Sequence, residues 1–122
     1  MQMARSAYGR PDAPARNHRT VEYDLFAQMT SSLTAAWKAR TKDHSSLVRA
    51  IYDNTRLWRT LAVDVAEPGN ALPEALRAQL FYLFEFTRSH SEKVLSGEAD
   101  AEVLIDINTA VMRGLRGPGA GS

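Results

Sequence analysis

The stretch Leu80-Phe81-Tyr82-Leu83-Phe84-Glu85-Phe86 holds six apolar or aromatic side chains in seven positions, inside a segment otherwise patterned as an amphipathic helix. A surface helix needs only one apolar stripe, because its other face meets water. Tyr82 and Phe86 lie off the stripe that the segment already has. Either this helix has neighbours on two sides, or its second face is kept for a partner. The stripe itself consists of Leu76, Leu80, Leu83, Phe84, Thr87 and Val94.

The composition is that of an ordinary soluble domain. The chain has 122 residues, of which 44% are hydrophobic and 24% charged, and this length suits one domain. No apolar run is long enough to cross a bilayer, and the first residues lack the apolar region of a secretory signal. The absence of cysteine excludes disulfides and thiolate sites. We expect a cytoplasmic protein that has no contact with a membrane.

Helical spacing dominates the chain, and no segment alternates as a strand would. It predicts an all-α fold, a single-domain bundle of four main helices plus a short N-terminal helical segment. Residues 1–19 are predicted to be that segment and a linker, 20–117 the helical bundle domain, and 118–122 a disordered tail.

Capping residues place the predicted helix boundaries. Thr20, Asp43 and Asp100 are suited to begin the first, second and fourth main helices. Pro73 has the position expected in the first turn of the third helix, and Gly97 that of its C-terminal glycine.

Patterns typical of catalysis are absent from the sequence. The histidines His18, His44 and His90 have no second ligand at the i,i+3 or i,i+4 spacing that places two side chains over one metal ion. No phosphate-binding glycine loop and no nucleophile elbow occurs. We therefore expect no enzyme, no metal and no cofactor.

Asn54 is the one polar residue in the centre of the second helix's apolar stripe. Burial of an amide without partners costs roughly 1 to 3 kcal/mol, so its side chain should be hydrogen-bonded. One interpretation is a core asparagine that bonds a loop or a helix end. The other is a residue that fixes the register of a bound helix, as in coiled coils.

The last helix also has surplus apolar side chains. Ile105 and Met112 are predicted to project away from its buried face, and Gly114 on that face would let another helix approach closely. The two helices together predict a hydrophobic groove for an amphipathic helix. Alternatively, the surplus packs inside the monomer or forms a homodimer contact. The expected buried face consists of Val103, Leu104, Ile107, Ala110, Val111, Gly114 and Leu115.

Several sequence strings, in this order and spacing, resemble the FlaF family of flagellar biosynthesis regulators. The resemblance extends over nearly the whole chain to Gly117. The strings are ARSAYG at 4–9, NTRLW at 54–58, NALP at 70–73, FYLFEFT at 81–87 and LIDINTAVMRGL at 104–115.

The resemblance implies a bacterial protein that binds flagellin as a secretion chaperone and works with a regulator of flagellin messenger RNA. It implies no catalytic residues. Flagellin's terminal segments are amphipathic helices that stay unfolded until polymerisation, so a chaperone must cover their apolar stripes. We predict that Tyr82, Phe86, Ile105 and Met112 line or border the groove. Tyr8, in a patch with Met3 and Ala7, is predicted to occupy it in part when flagellin is absent.

Two other functions stay open at this point. A regulator acting on flagellin messenger RNA would use a basic arm, but this arm lacks the interleaved aromatic residues that stack on bases, so we expect no direct nucleic-acid contact. An adaptor between flagellin and another protein would need a second surface, which Trp37 or Tyr52 could mark. The arm's arginines are Arg5, Arg10, Arg16 and Arg19.

Overall fold

The computed structural model describes the backbone of residues 13–116 and the side chains of residues 22–114. This part of the chain forms four helices and no strand, which confirms the all-α fold. The predicted N-terminal helical segment and the disordered tail lie outside the described residues. The helices are α1 (Ala13–Lys38), α2 (His44–Ala66), α3 (Glu74–Leu95) and α4 (Glu102–Arg116).

The first helix begins earlier than its sequence suggests. It starts at Ala13, inside the predicted linker, so the assignment of Thr20 as its N-cap is wrong. Pro14, which we interpreted as a linker residue, is the second residue of α1. Proline is compatible with a first turn, because its φ is already helical and the missing N–H has no intrahelical acceptor there.

Asp43 is the N-cap residue of α2, as predicted. Its carboxylate accepts hydrogen bonds from the Ser46 backbone N–H (3.1 Å), the Ser46 hydroxyl (2.6 Å) and the Ser45 hydroxyl (3.0 Å). These three donors favour the ionised form and lower the pKa of Asp43 below its usual range. Helix α2 therefore has a charged N-cap.

The third helix begins and ends close to the predicted residues. Pro73 takes the N-cap position, with φ −56°, and Glu74 is the first helical residue. Gly97 has φ +83°, a conformation that glycine adopts without strain. The Glu98 N–H donates to Lys93 O (2.8 Å) and the Gly97 N–H to Val94 O (3.1 Å). This pair of bonds is a Schellman motif, which stops α3 at Leu95.

The four helices pack unequally. Helix α1 packs along both α2 and α4, and α2 also packs along α3. Contacts between α3 and α4 are few. Helix α3 is therefore held mainly from one side, and a gap separates it from α4.

The buried apolar residues form two clusters. The first joins the C-terminal half of α1, the first turns of α2, the end of α3 and the start of α4. The second is smaller and contains Phe26 and Trp58, whose rings meet edge to face with centroids 5.5 Å apart. The first cluster contains Leu33, Ala36, Leu47, Ala50, Ile51, Val94, Ala101 and Leu104; the second contains Phe26, Trp58, Leu61 and Val65.

A chain of buried hydrogen bonds crosses the bundle between the two clusters. Trp58 Nε1 donates to Asn108 Oδ1 (2.9 Å), and Asn108 Nδ2 donates to Asn54 Oδ1 (2.7 Å). An indole nitrogen can only donate, so Trp58 fixes the orientation of the Asn108 amide and Asn108 that of Asn54. Asn54 is thus bonded within the fold, as the first interpretation required, although its partner is a side chain of α4 rather than a loop or helix end.

The buried face of α4 differs from the predicted one. It is centred on Leu104 and Asn108, which are completely buried, as is Ala101 just before the helix. Ile105 packs against the first cluster and Met112 against the second, so the prediction that they project away from the core is wrong. The reason is Asn108. The predicted buried face did not include this residue, and its burial shifts the core-facing side of α4 toward Ile105 and Met112.

Candidate partner-binding groove

The N-terminal half of α3 contributes no buried residue. The buried residues of this helix are Thr87, Ser91 and Val94, all in its second half. Phe81 is 41% and Tyr82 66% exposed, although they belong to the most apolar stretch of the chain. Of the two alternatives posed by that stretch, a central helix with neighbours on two sides is therefore wrong.

An apolar groove with a volume of about 470 Å³ lies where α3 separates from α1 and α4. All four helices and the loop between α2 and α3 contribute to it. Its apolar lining consists of Phe26, Leu61, Ala71, Leu72, Leu76, Leu80, Leu83, Ala110, Val111 and Gly114, and its polar lining of Glu22, Asp64, Asn70 and Gln79.

The groove is an extension of the second core cluster to the surface. Phe26 and Leu61 belong to that cluster and are buried, so they form the floor. Leu80 and Leu83 on α3 and Val111 on α4 pack against the same cluster while half-buried. Any apolar side chain entering here would extend an existing hydrophobic core, which is favourable in proportion to the area removed from water.

The wall formed by the α2–α3 loop is held by hydrogen bonds. Asn70 Nδ2 donates to Asp64 O (3.0 Å), and Asn70 Oδ1 accepts from the Leu72 N–H (2.9 Å). Arg77 Nε donates to the Leu72 carbonyl (3.1 Å). Leu72 is therefore fixed from both sides, so this wall is already in place without a partner.

The wall formed by α4 consists of small residues. Ala110 and Gly114, one helical turn apart, are both exposed. A Cβ atom added at Gly114 would meet no atom within 4 Å. We predicted that Gly114 would let another helix approach closely; no helix of the described chain does so, and the position is open. The small side chains instead keep the groove wide.

Carboxylates supply the charge of the groove. Glu22 and Asp64 line it, and no lysine or arginine among the described residues does so. The charged residues of the lining are therefore acidic in this part of the chain.

The predicted site residues do not line the groove. Tyr82 faces solvent, and the ring of Phe86 stacks on His90 with centroids 5.3 Å apart. His90 in turn donates through Nε2 to the Asp100 carbonyl at the start of α4 (2.9 Å). Phe86 follows Leu83 by three residues and so lies on the same face of α3, but it is not part of the lining. Tyr8 lies outside the described residues.

The leucines that do line the groove were assigned to the core by sequence reasoning. Leu76, Leu80 and Leu83 follow the i, i+4, i+7 spacing of a core stripe, and only Thr87 and Val94 of that predicted stripe are fully buried. Periodicity identified the correct face of α3. It carried no information on whether another helix covers that face.

Neither a metal site nor a membrane-spanning helix is found among the described residues. No group of three or more His, Cys, Asp or Glu side chains in residues 22–114 is arranged to hold a metal ion. Within the described helices, none has the length and apolarity that crossing a membrane requires.

Comparison with protein families gives one match that covers nearly the whole chain. The family model described as "Flagellar protein FlaF" matches residues 4–115. Comparisons with curated proteins and with solved structures give no match. The matched range includes all the residues that line the groove. The chain therefore belongs to the FlaF family of flagellar proteins.

Proposed function

We propose that this protein binds an amphipathic terminal helix of flagellin in the groove, as a non-enzymatic secretion chaperone and regulator of flagellin production in the cytoplasm. The observation that supports the proposal is the open apolar groove between α3 and α4, in a chain that belongs to a flagellar family. Docking of an amphipathic helix into such a groove is a recurrent binding mode, with anchors at i, i+3, i+4 and i+7.

The dimensions of the groove suit a row of anchors rather than a whole helix. Its 470 Å³ falls within the range of about 300 to 1,000 Å³ that is usual for binding pockets. Three buried leucine-sized anchors contribute roughly 5 to 9 kcal/mol before the costs of association are subtracted. Such binding is reversible, which a chaperone that hands on its client requires.

The small residues of α4 set the approach of the bound helix. With Ala110 and Gly114 on the wall, the backbone of the client can lie close to α4 while its apolar side chains point toward Leu80 and Leu83. We keep the prediction that Phe86 and Tyr82 border this path; Tyr82 is 66% exposed. We retain the proposal that the segment with Met3, Ala7 and Tyr8 competes with the client for the groove, which would lower the apparent affinity.

Filling the groove from α4 is the most selective test. Gly114→Leu adds a side chain where the structure has open space, so the fold is preserved while the volume for the client is reduced. We expect flagellin affinity, measured by calorimetry, to fall about tenfold or more, equivalent to about 1.4 kcal/mol. Val63→Leu on the exposed side of α2 is the matched control and should bind normally. Unchanged affinity in a folded Gly114→Leu variant would remove the groove from the proposal.

A pull-down with the intact chain as bait tests the class of partner. Recovery of flagellin from flagellated cells, lost with Gly114→Leu and kept with Val63→Leu, is the expected result. Recovery of RNA without flagellin would favour the messenger-RNA regulator instead. Binding through the basic arm would then weaken steeply as salt is raised, because phosphate contacts release counterions.

A further inference from the structure

We infer that the solvent face of α2 is a second interaction surface, one that fits an acidic amphipathic helix of a protein partner. This basic face is exposed to solvent and lies on residues that the groove does not use. It consists of Val48, Arg49, Tyr52, Arg56, Arg59 and Val63.

The three arginines of the basic face lack acidic partners. Among the described residues, no ion pair or hydrogen bond engages the guanidinium of Arg49, Arg56 or Arg59. By contrast, Arg88 on α3 pairs with Glu85 at 3.1 Å and Glu92 at 3.8 Å. Few acidic residues of α2 lie near these arginines. Asp53 is the one carboxylate between Arg49 and Arg56 in sequence. The basic face therefore has an excess of positive charge directed at solvent.

The spacing of these charges matches another helix. Arg49 and Arg56 are two turns apart, about 10.5 Å along the axis, and Arg59 follows about 4.5 Å further. A partner helix with carboxylates at i, i+7 and i+10 presents its charges at the same intervals. Guanidinium groups bind carboxylates in a bidentate geometry, which would fix the register.

The exposed apolar residues of the basic face indicate that its partner is a protein rather than a nucleic acid. Tyr52 is 61% and Val63 58% exposed, and the Arg56 guanidinium lies 6.0 Å from the Tyr52 ring centroid. Tyrosine and arginine together are typical of protein interfaces, whereas aliphatic side chains give a phosphate backbone nothing to bind. An acidic helix that is apolar on one side can use both.

A depression beside the basic face can receive the partner's apolar row. It has a volume of about 260 Å³ and lies between α1 and α2. Leu25, Met29 and Leu57 give it an apolar lining, and Asp53, Arg56 and Thr60 complete it. Because Asp53 is a carboxylate, the depression suits only the apolar row of the partner, whose own carboxylates would pair with the arginines of the basic face.

The second surface is independent of the groove. Helix α2 contributes Leu61 and Asp64 to the groove, but Asp53, Arg56, Leu57 and Thr60 to the depression. No residue lines both. The proposed flagellin binding and this inference can therefore fail separately.

The test uses the full chain and a designed probe. The probe is a fluorescent helical peptide of about 21 residues, three heptads, with glutamates at i, i+7 and i+10 beside a leucine row. Its binding is measured by fluorescence anisotropy. The triple variant Arg49→Gln, Arg56→Gln, Arg59→Gln should weaken binding about tenfold, as expected for the loss of three exposed ion pairs. Arg113→Gln, at an exposed arginine of α4 outside the basic face, is the matched control and should leave binding unchanged.

Each other outcome overturns the inference. Absence of peptide binding, or equal binding by the triple variant, would mean that the basic face is only solvated. Equal binding of a peptide with the same composition in scrambled order would exclude helix recognition. If a single-stranded RNA oligonucleotide binds the same arginines and the peptide does not, the basic face is a nucleic-acid-binding surface and not a protein-binding one.

Discussion

The buried hydrogen bonds between α2 and α4 predict that a second substitution restores part of the stability that a first substitution removes. Asn108→Leu removes both bonds of Asn108, so Trp58 Nε1 and Asn54 Oδ1 are left buried without partners. Asn54 Nδ2 already has no partner among the described residues. Each newly orphaned group costs about 1 to 3 kcal/mol. We expect a loss of about 3 kcal/mol, a large part of the 5 to 15 kcal/mol typical of a domain.

The Asn54→Leu substitution has a smaller expected effect. It leaves only Asn108 Nδ2 without a partner and removes the unsatisfied Asn54 Nδ2. The double variant leaves only Trp58 Nε1 orphaned, because both amides are gone. It should therefore be more stable than Asn108→Leu alone by about 1 to 2 kcal/mol, although it carries one more core substitution.

Urea denaturation of the four proteins, followed by tryptophan fluorescence, measures these differences. The slopes should agree, so that midpoints report stability. Crowding by the larger leucine side chains would destabilise each variant and could not by itself produce the recovery. If the losses of the two single variants simply add in the double variant, the two amides are not coupled and the reasoning is refuted.

Four further predictions concern other parts of the molecule. Gly114→Ala should raise stability by up to about 1 kcal/mol in thermal denaturation, because alanine favours the helix and its Cβ meets open space; a loss would mean that the wall is not open. The pKa of Asp43 is lowered by its hydrogen bonds, so its contribution is complete above the ordinary value of 3.8 and is lost as pH falls through the lowered pKa. Asp43→Asn keeps a capping oxygen but does not titrate, so the stability difference between the two proteins should change in acid; parallel profiles would contradict this. Tyr82→Asp with Phe86→Asp should weaken flagellin binding in calorimetry if these residues border the bound helix, and deletion of residues 1–9 should strengthen it; the opposite result for the deletion would make that segment part of the binding site.

Local signals predicted the helices better than the surfaces between them. Asp43 and Gly97 act through hydrogen bonds to residues within a few positions, so their roles could be inferred from neighbouring residues alone. Pro14 was misread because proline both interrupts a helix and suits its first turn.

The groove depended on information that periodicity does not contain. The pattern of Leu80 and Leu83 indicates an apolar helix face, but its exposure results from the lack of a packed neighbour on that side of α3. Asn108 was not included in the predicted buried face of α4. Its bond to Trp58, fifty positions away in sequence, holds it in the core, and such a distant contact is not visible in a local pattern.

The two ends of the bundle bury different amounts of apolar side chain and should therefore differ in local stability. The end with the Asp43 cap and the Schellman turn contains most of the completely buried aliphatic residues, whereas the groove end relies on Phe26, Trp58, Leu61 and Val65. Regions with fewer buried contacts open at lower free energy than the rest of a fold. The groove end should therefore open locally at a lower free energy than the opposite end, so the proposed flagellin helix would meet the more adaptable part of the fold.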